Sequence, residues 1–161
     1  MNECKLSEIN WTKAAVFAGG DRGHYRTDFD CFVGVDRGSL WVLEEELPLA
    51  LAVGDFDSVT VEERQLIQER AQHFVQAQPE KDDTDLELAL LTIFEKNPQA
   101  QVTIFGALGG RIDHMLANVF LPSNPKLAPY MRQIEIEDGQ NLISYCPEGI
   151  SQLEPRSDYN Y

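Results

Sequence analysis

In the stretch "LAVGDFDSVT" two acids, Asp55 and Asp57, alternate directly behind an apolar run. Asp36 in "GVDRG", Asp82, Asp83 and Asp85 in "KDDTD", and Asp113 in "GGRIDH" stand behind other runs of the same kind. Carboxylates brought close together repel one another and resist joint ionisation unless a cation sits among them. Hard oxygen ligands of this sort suit magnesium, which keeps several waters and completes its shell with substrate phosphates. The chemistry on offer is therefore the handling of a magnesium nucleotide, provided the acids converge. One D-x-D alone is a polar turn capping a helix. Acidic clusters at successive strand ends are what point to metal or phosphate.

Glycines accompany the acids: Gly19 and Gly20 after the first apolar run, Gly54 ahead of the D-x-D, and Gly106, Gly109 and Gly110 after the fifth run. They permit tight turns and close approach of phosphate oxygens to backbone amides, and Gly109-Gly110 opens onto a helix start. "GALGG" is neither the dinucleotide fingerprint nor a P-loop. Arg111 offers a planar fork for a phosphate, or serves as a surface cation. Lys81 either neutralises transferred phosphate charge or pairs with Asp82. His114 by itself reads as a helix-surface or packed histidine rather than a ligand.

These residues need a frame that brings them together. Short runs rich in Val, Ile, Phe and Ala at "KAAVFA", "CFVGV", "LALAV", "HFVQA" and "QVTIF" predict five buried strands. Helices are predicted over 38–47, 60–71, 84–96 and 111–121, two of them opened by capping boxes, Thr60 with Glu63 and Thr84 with Glu87. Leu86, Ala89, Leu90, Ile93 and Phe94 fall at helical spacing, as do Ile112, Met115, Leu116, Val119 and Phe120. Both stripes are expected in the core. The alternation predicts an α/β fold, a mostly parallel sheet with helices on both faces, and such sheets bind ligands at the carboxyl ends of their strands. After "FLPSNPKLAP" prolines break the helical pattern, and "RQIEIED" and "NLISYC" alternate like antiparallel strands. A β-type unit is expected to begin there, and "GISQLEPRSDYNY" runs out before it could close a core.

With 161 residues, 43% of them hydrophobic, the chain is sized for one good core. Twenty-seven acidic residues against thirteen Lys and Arg give a formal charge of -14, which repels nucleic acid and anionic membrane. A nucleotide is still compatible, because a metal and a few local cations neutralise the site. Cys4, Cys31 and Cys146 lack C-x-x-C spacing and read as free thiols of a reducing cytosol. No run approaches the ~18 apolar residues of a membrane span, and the first residues lack signal features, so a soluble cytoplasmic protein is expected.

Read in order, "GVDRG", "GDFDS", "KDDTDLELAL" and "GALGGRIDHMLANVFL" resemble the successive motifs of the bacterial thiamine pyrophosphokinases, and "DGQNLI" stands where that family carries a D-x-x-N element. The resemblance implies a Rossmann-like N-terminal domain (1–125) that binds magnesium ATP, the start of a C-terminal β-sandwich (126–161) that helps to hold thiamine, and a homodimer with two sites at its interface. It implies metal ligation and catalysis by Asp55, Asp57, Asp82 and Asp85, with Asp113 as a further catalytic acid. Gly19, Gly20, Asp36, Arg37, Lys81, Gly109, Gly110 and Arg111 would hold ATP; Asp113, His114 and Asn118 would meet thiamine. The implied reaction is attack of the thiamine hydroxyl on the β-phosphorus of ATP, with AMP leaving. One carboxylate would take the hydroxyl proton, Asp57 slightly ahead of Asp55, with Asp113 as the competitor outside the metal site. Arg37 stands where many relatives have glycine, and the family's later β-strands, with their serine-bearing thiamine contact, have no counterpart after Tyr161. Two other readings share the acidic cluster: a diphosphotransferase for another alcohol such as a hydroxymethylpterin, and a non-catalytic module that binds magnesium nucleotide.

Overall fold

The five predicted runs form parallel strands: β1 (Lys13–Phe17), β2 (Cys31–Val35), β3 (Leu49–Gly54), β4 (His73–Gln76) and β5 (Gln101–Phe105). The computed structural model describes residues 9–78, 80, 82–157 and 159, so Cys4 and Lys81 lie outside the described residues. Two further strands, β6 (Ile134–Glu137) and β7 (Leu142–Ser144), complete a seven-stranded sheet of order β4-β3-β2-β1-β5-β6-β7. Every neighbouring pair is parallel except β6 with β7.

Successive side chains of a strand face opposite sides of a sheet. In β1, Ala14 and Val16 enter one apolar cluster and Ala15 and Phe17 the other. Helix α1 (Gly38–Glu44) and helix α2 (Val61–Arg70) cover one face with Leu40, Trp41 and Ile67. Helix α3 (Asp85–Lys96) covers the other, and its predicted stripe from Leu86 to Phe94 is buried to 5% exposure or less. Burial on both faces is why these strands read as near-continuous apolar runs.

Two expectations change. Helix α4 (Ile112–Val119) forms as predicted but buries none of its residues; Ile112 is 69% and Phe120, just past its end, 61% exposed. The stripe from Ile112 to Phe120 is thus a surface feature, because α4 stands at the sheet's carboxyl edge instead of across a face. The segment after the prolines does supply β-structure, yet β6 and β7 extend the α/β sheet itself. Ile134 and Ile136 are fully buried opposite Val102 and Ile104 of β5, and that apolar register draws the segment into the existing core.

Candidate active site

All the strand ends that carry acids point to one edge, since β1 to β6 are parallel. Asp36 follows β2 in a left-handed conformation, φ 48°. Its N–H donates to Val53 O (2.8 Å), and its Oδ1 accepts from Phe56 N–H (3.0 Å). This carboxylate occupies the space beside Gly54: a Cβ there would lie 2.0 Å from Asp36 Oδ1, so a side chain would push the acid out of place.

The D-x-D itself divides into three roles. Asp55 Oδ1 accepts from Asp57 N–H (3.0 Å), an Asx-turn. Phe56, between them, is buried and stacks on Phe74 with ring centroids 4.7 Å apart. Asp57 is left exposed. The alternation of acids is thus the alternation of a chain with an apolar plug at its centre.

On α3, Thr84 forms the predicted capping box with Glu87 and places Asp85 at the first helical position. One carboxylate oxygen each from Asp36, Asp55 and Asp85 then falls within 4.8 Å of the others. Burial, followed by a hydrogen bond shared with Asp85 and the repulsion of Asp85 and Asp55, pushes the Asp36 carboxyl up to about 7. That is the electrostatic signature of a place built for a cation.

The other predicted acids are distributed around this centre. Asp82 is exposed. Asp83 takes Lys126 Nζ at 2.7 Å and Asn124 Nδ2 at 3.3 Å, which latches the 82–85 loop to the proline-rich segment. Arg111 holds Asp113 through two bonds, Nε to Oδ1 (3.1 Å) and Nη2 to Oδ2 (2.6 Å). The same guanidinium lowers the Asp113 carboxyl below its ordinary range. A carboxylate so held is a weak base.

A cleft of about 530 Å³ opens at this edge, lined by Gly19, Gly20, Asp36, Arg37, Asp85, Gly109, Gly110, Arg111, His114 and Asn118. Residues named from the sequence for both nucleotide and acceptor thus share one wall. Gly109 and Gly110 adopt left-handed angles of 86° and 69°, which glycine takes without steric cost, and they turn the chain into α4. Asn118 Nδ2 donates to Ala107 O (3.0 Å), tying α4 to the end of β5, and Arg37 Nη1 donates to Ser58 O (3.0 Å).

Sequence reasoning missed Ser58, Thr84 and Met115 on the cleft wall. It also missed a second cavity of about 630 Å³ that shares Gly109 and Met115 with the first. Leu108, Val119, Leu142 and Ile143 make it largely apolar, and Asp138 and Asn141 of "DGQN" give it a polar corner. Burial pushes the Asp138 carboxyl up, but bonds from the Gln140 and Asn141 amides outweigh it and hold the acid low. The signal was "DGQN", which the sequence reading placed but assigned no contact.

The profile of the thiamin pyrophosphokinase catalytic domain matches residues 23–133. The thiamine pyrophosphokinase of Bacillus subtilis is 36% identical over 152 residues, 91% of this chain and 70% of that relative. The crystal structure of a thiamin pyrophosphokinase family protein from Enterococcus faecalis superposes with a TM-score of 0.80 at 47% identity, over 86% of this chain and 67% of its own. The chain belongs to the thiamine pyrophosphokinase family. It is therefore an ATP-dependent diphosphotransferase, and the pterin and non-catalytic readings are not favoured. The thiamin pyrophosphokinase of Geobacillus thermodenitrificans superposes with a TM-score of 0.65 at 36% identity, over 81% of this chain and 61% of its own. The family's α/β architecture is the mostly parallel sheet described above. Among the described residues no helix is long and apolar enough to cross a membrane.

Proposed function

We propose that this diphosphotransferase works at the carboxyl edge of its sheet, passing the diphosphate of ATP to the thiamine hydroxyl and releasing AMP. The observation that carries the reading is the convergence of Asp36, Asp55 and Asp85 within 4.8 Å. The donor set fits magnesium, because three partly buried carboxylates offer the hard oxygens that this ion takes. Asp36, Asp55 and Asp85 would hold the ion, which when bound would supply screening of the phosphate charge. Asp57 and Asp82, exposed at the rim, would be further acids of the metal site.

Gly19, Gly20, Gly109 and Gly110 let the backbone approach the nucleotide, and the family pattern assigns Lys81 to ATP as well. Arg111, held by Asp113 through Nε and Nη2, offers Nη1 to the phosphates. Asp113 thereby acts as a positioning partner for Arg111, and Asp57 is left to take the hydroxyl proton. Thiamine is a cationic aromatic alcohol. It enters beside His114 and Asn118, and its rings fill the second cavity, whose apolar walls and ionised Asp138 suit a positively charged ring. Following the family pattern, a β-sandwich and a homodimer complete the acceptor site, and the exposed stripe of Ile112, Leu116 and Phe120 beside the cleft supports the latter. The reaction belongs to the cytoplasm, where ATP and magnesium are at hand.

The acceptor assignment is tested by offering magnesium ATP with thiamine and a hydroxymethylpterin together and separating the products by chromatography. Thiamine diphosphate alone is expected; a pterin diphosphate would contradict the reading.

A further inference from the structure

Strand β6 ends on Glu137, which is 3% exposed, and the chemistry above makes no use of it. A buried carboxylate is tolerated only when it is paired and hydrogen-bonded. Both partners come from the helix-free segment between β1 and β2. Arg26 gives Nε to Oε1 (3.1 Å) and Oε2 (3.2 Å) and Nη2 to Oε2 (3.1 Å). His24 Nε2 lies 2.9 Å from Oε1. The remaining Arg26 Nη1 is held by Asp28, at 2.7 and 2.9 Å from its two oxygens.

The segment is fixed at its other side. Arg22 pairs with Glu44 and Glu45 of the α1 end, and the Tyr25 hydroxyl donates to Glu45. The rings of Tyr25 and Phe29 sit edge-on to Phe17 and Phe105, each at 5.8 Å. It is a strap that runs from α1 across the sheet edge to β6.

The residue after Glu137 is Asp138, which opens the turn that forms one wall of the second cavity. Asp138 Oδ1 accepts from the N–H groups of Gln140 (2.7 Å) and Asn141 (2.6 Å), so the turn is rigid within itself. Its outer supports are the short edge strand β7 and the Tyr159 hydroxyl, which donates to Asp138 O (3.2 Å). We infer that Glu137 is a positioning residue for the acceptor: its clamp to Arg26 and His24 fixes where the Asp138–Asn141 wall stands relative to α4. The inference rests on the placing of the thiamine rings in that cavity. The nucleotide side of the strap is held separately, by the Gly20 N–H to Gly106 O bond (3.0 Å), so the clamp governs one substrate and not the other.

Glu137→Gln keeps the side chain's shape and leaves Arg26 paired with Asp28. In this variant the KM for thiamine should rise about tenfold while kcat and the KM for ATP stay within about twofold, because a displaced wall weakens the hold on the acceptor equally before and during reaction. Arg26→Lys, which retains the charge but loses the fork, should shift the same parameter in the same direction, and it decides the matter should the glutamine variant not fold. A lowered melting temperature with an unchanged thiamine KM in the folded variant would overturn the inference and make the clamp merely structural. A wild-type chain that makes no thiamine diphosphate would overturn the functional reading first, and this one with it.

Discussion

Helices α3 and α4 carry the same kind of apolar stripe, yet one disappears into the molecule and the other faces out. Leu86, Ala89, Leu90, Ile93 and Phe94 of α3 are buried, whereas Leu116 beside the cleft is 45% exposed and Phe120 61%. Their starts differ in the same way. Thr84 and Glu87 close the end of α3, but Arg111 gives α4 no side-chain cap and turns its guanidinium to Asp113 instead. The position of each helix on the sheet explains both contrasts. α3 lies across a face, where every apolar side chain finds a partner; α4 stands at the carboxyl edge, where parallel sheets hold their ligands. Periodicity marks an apolar face without saying which layer, or which partner, will cover it.

The sharpest break of this contrast is Phe94→Ala. Phe94 is 1% exposed and stacks on Tyr130 with centroids 4.2 Å apart, so its loss should cost about 3–5 kcal/mol in urea unfolding. Next comes Asp85→Asn at the start of α3, expected to slow AMP release by about a hundredfold or more while leaving the melting temperature unchanged or raised. Removing one of three crowded acids relieves repulsion and removes function together; a fall in stability with activity retained would break the metal-site reading. Thr84→Ala, which deletes the cap that α4 does without, should cost about 1 kcal/mol of stability.

Magnesium provides a finer probe. Burial chiefly raises the Asp36 carboxyl from 3.8 to about 7 in the metal-free fold. The folded state then keeps a proton that the unfolded chain releases, so this contribution is present at low pH and is lost as pH rises through about 7. A metal needs the ionised acid, so the melting-temperature gain from magnesium should be small near pH 5 and grow toward about pH 8. Equal gains at both would contradict the site. At the smallest end, Phe120→Ala in the isolated chain should change stability by no more than about 0.5 kcal/mol.

Much of the frame was legible in the sequence because its signals are local. Apolar runs bounded by Gly and Asp marked β1 to β5, and the two capping boxes formed as predicted. The convergence of acids was legible too, since parallel strands must present their carboxyl ends together. What was not legible depended on tertiary choices. "RQIEIED" alternates as an antiparallel strand would, but the burial of Ile134 and Ile136 against β5 sets its parallel pairing. Asp36, one of the acids expected to converge and given to ATP by the family resemblance, reaches Asp55 and Asp85 because its left-handed backbone turns it toward Phe56, and spacing does not encode that angle. The strap from Arg22 to Asp28 left no sequence signal, for its partners Glu44, Glu45 and Glu137 are distant in the chain.

What this edge is proposed to move is a diphosphate and not a single phosphate. Phosphorus NMR of the chain with magnesium, ATP and thiamine tests it directly, since the two outcomes have different spectra. AMP and thiamine diphosphate, formed together and only with magnesium present, are the predicted result; ADP with a monophosphate product would contradict it.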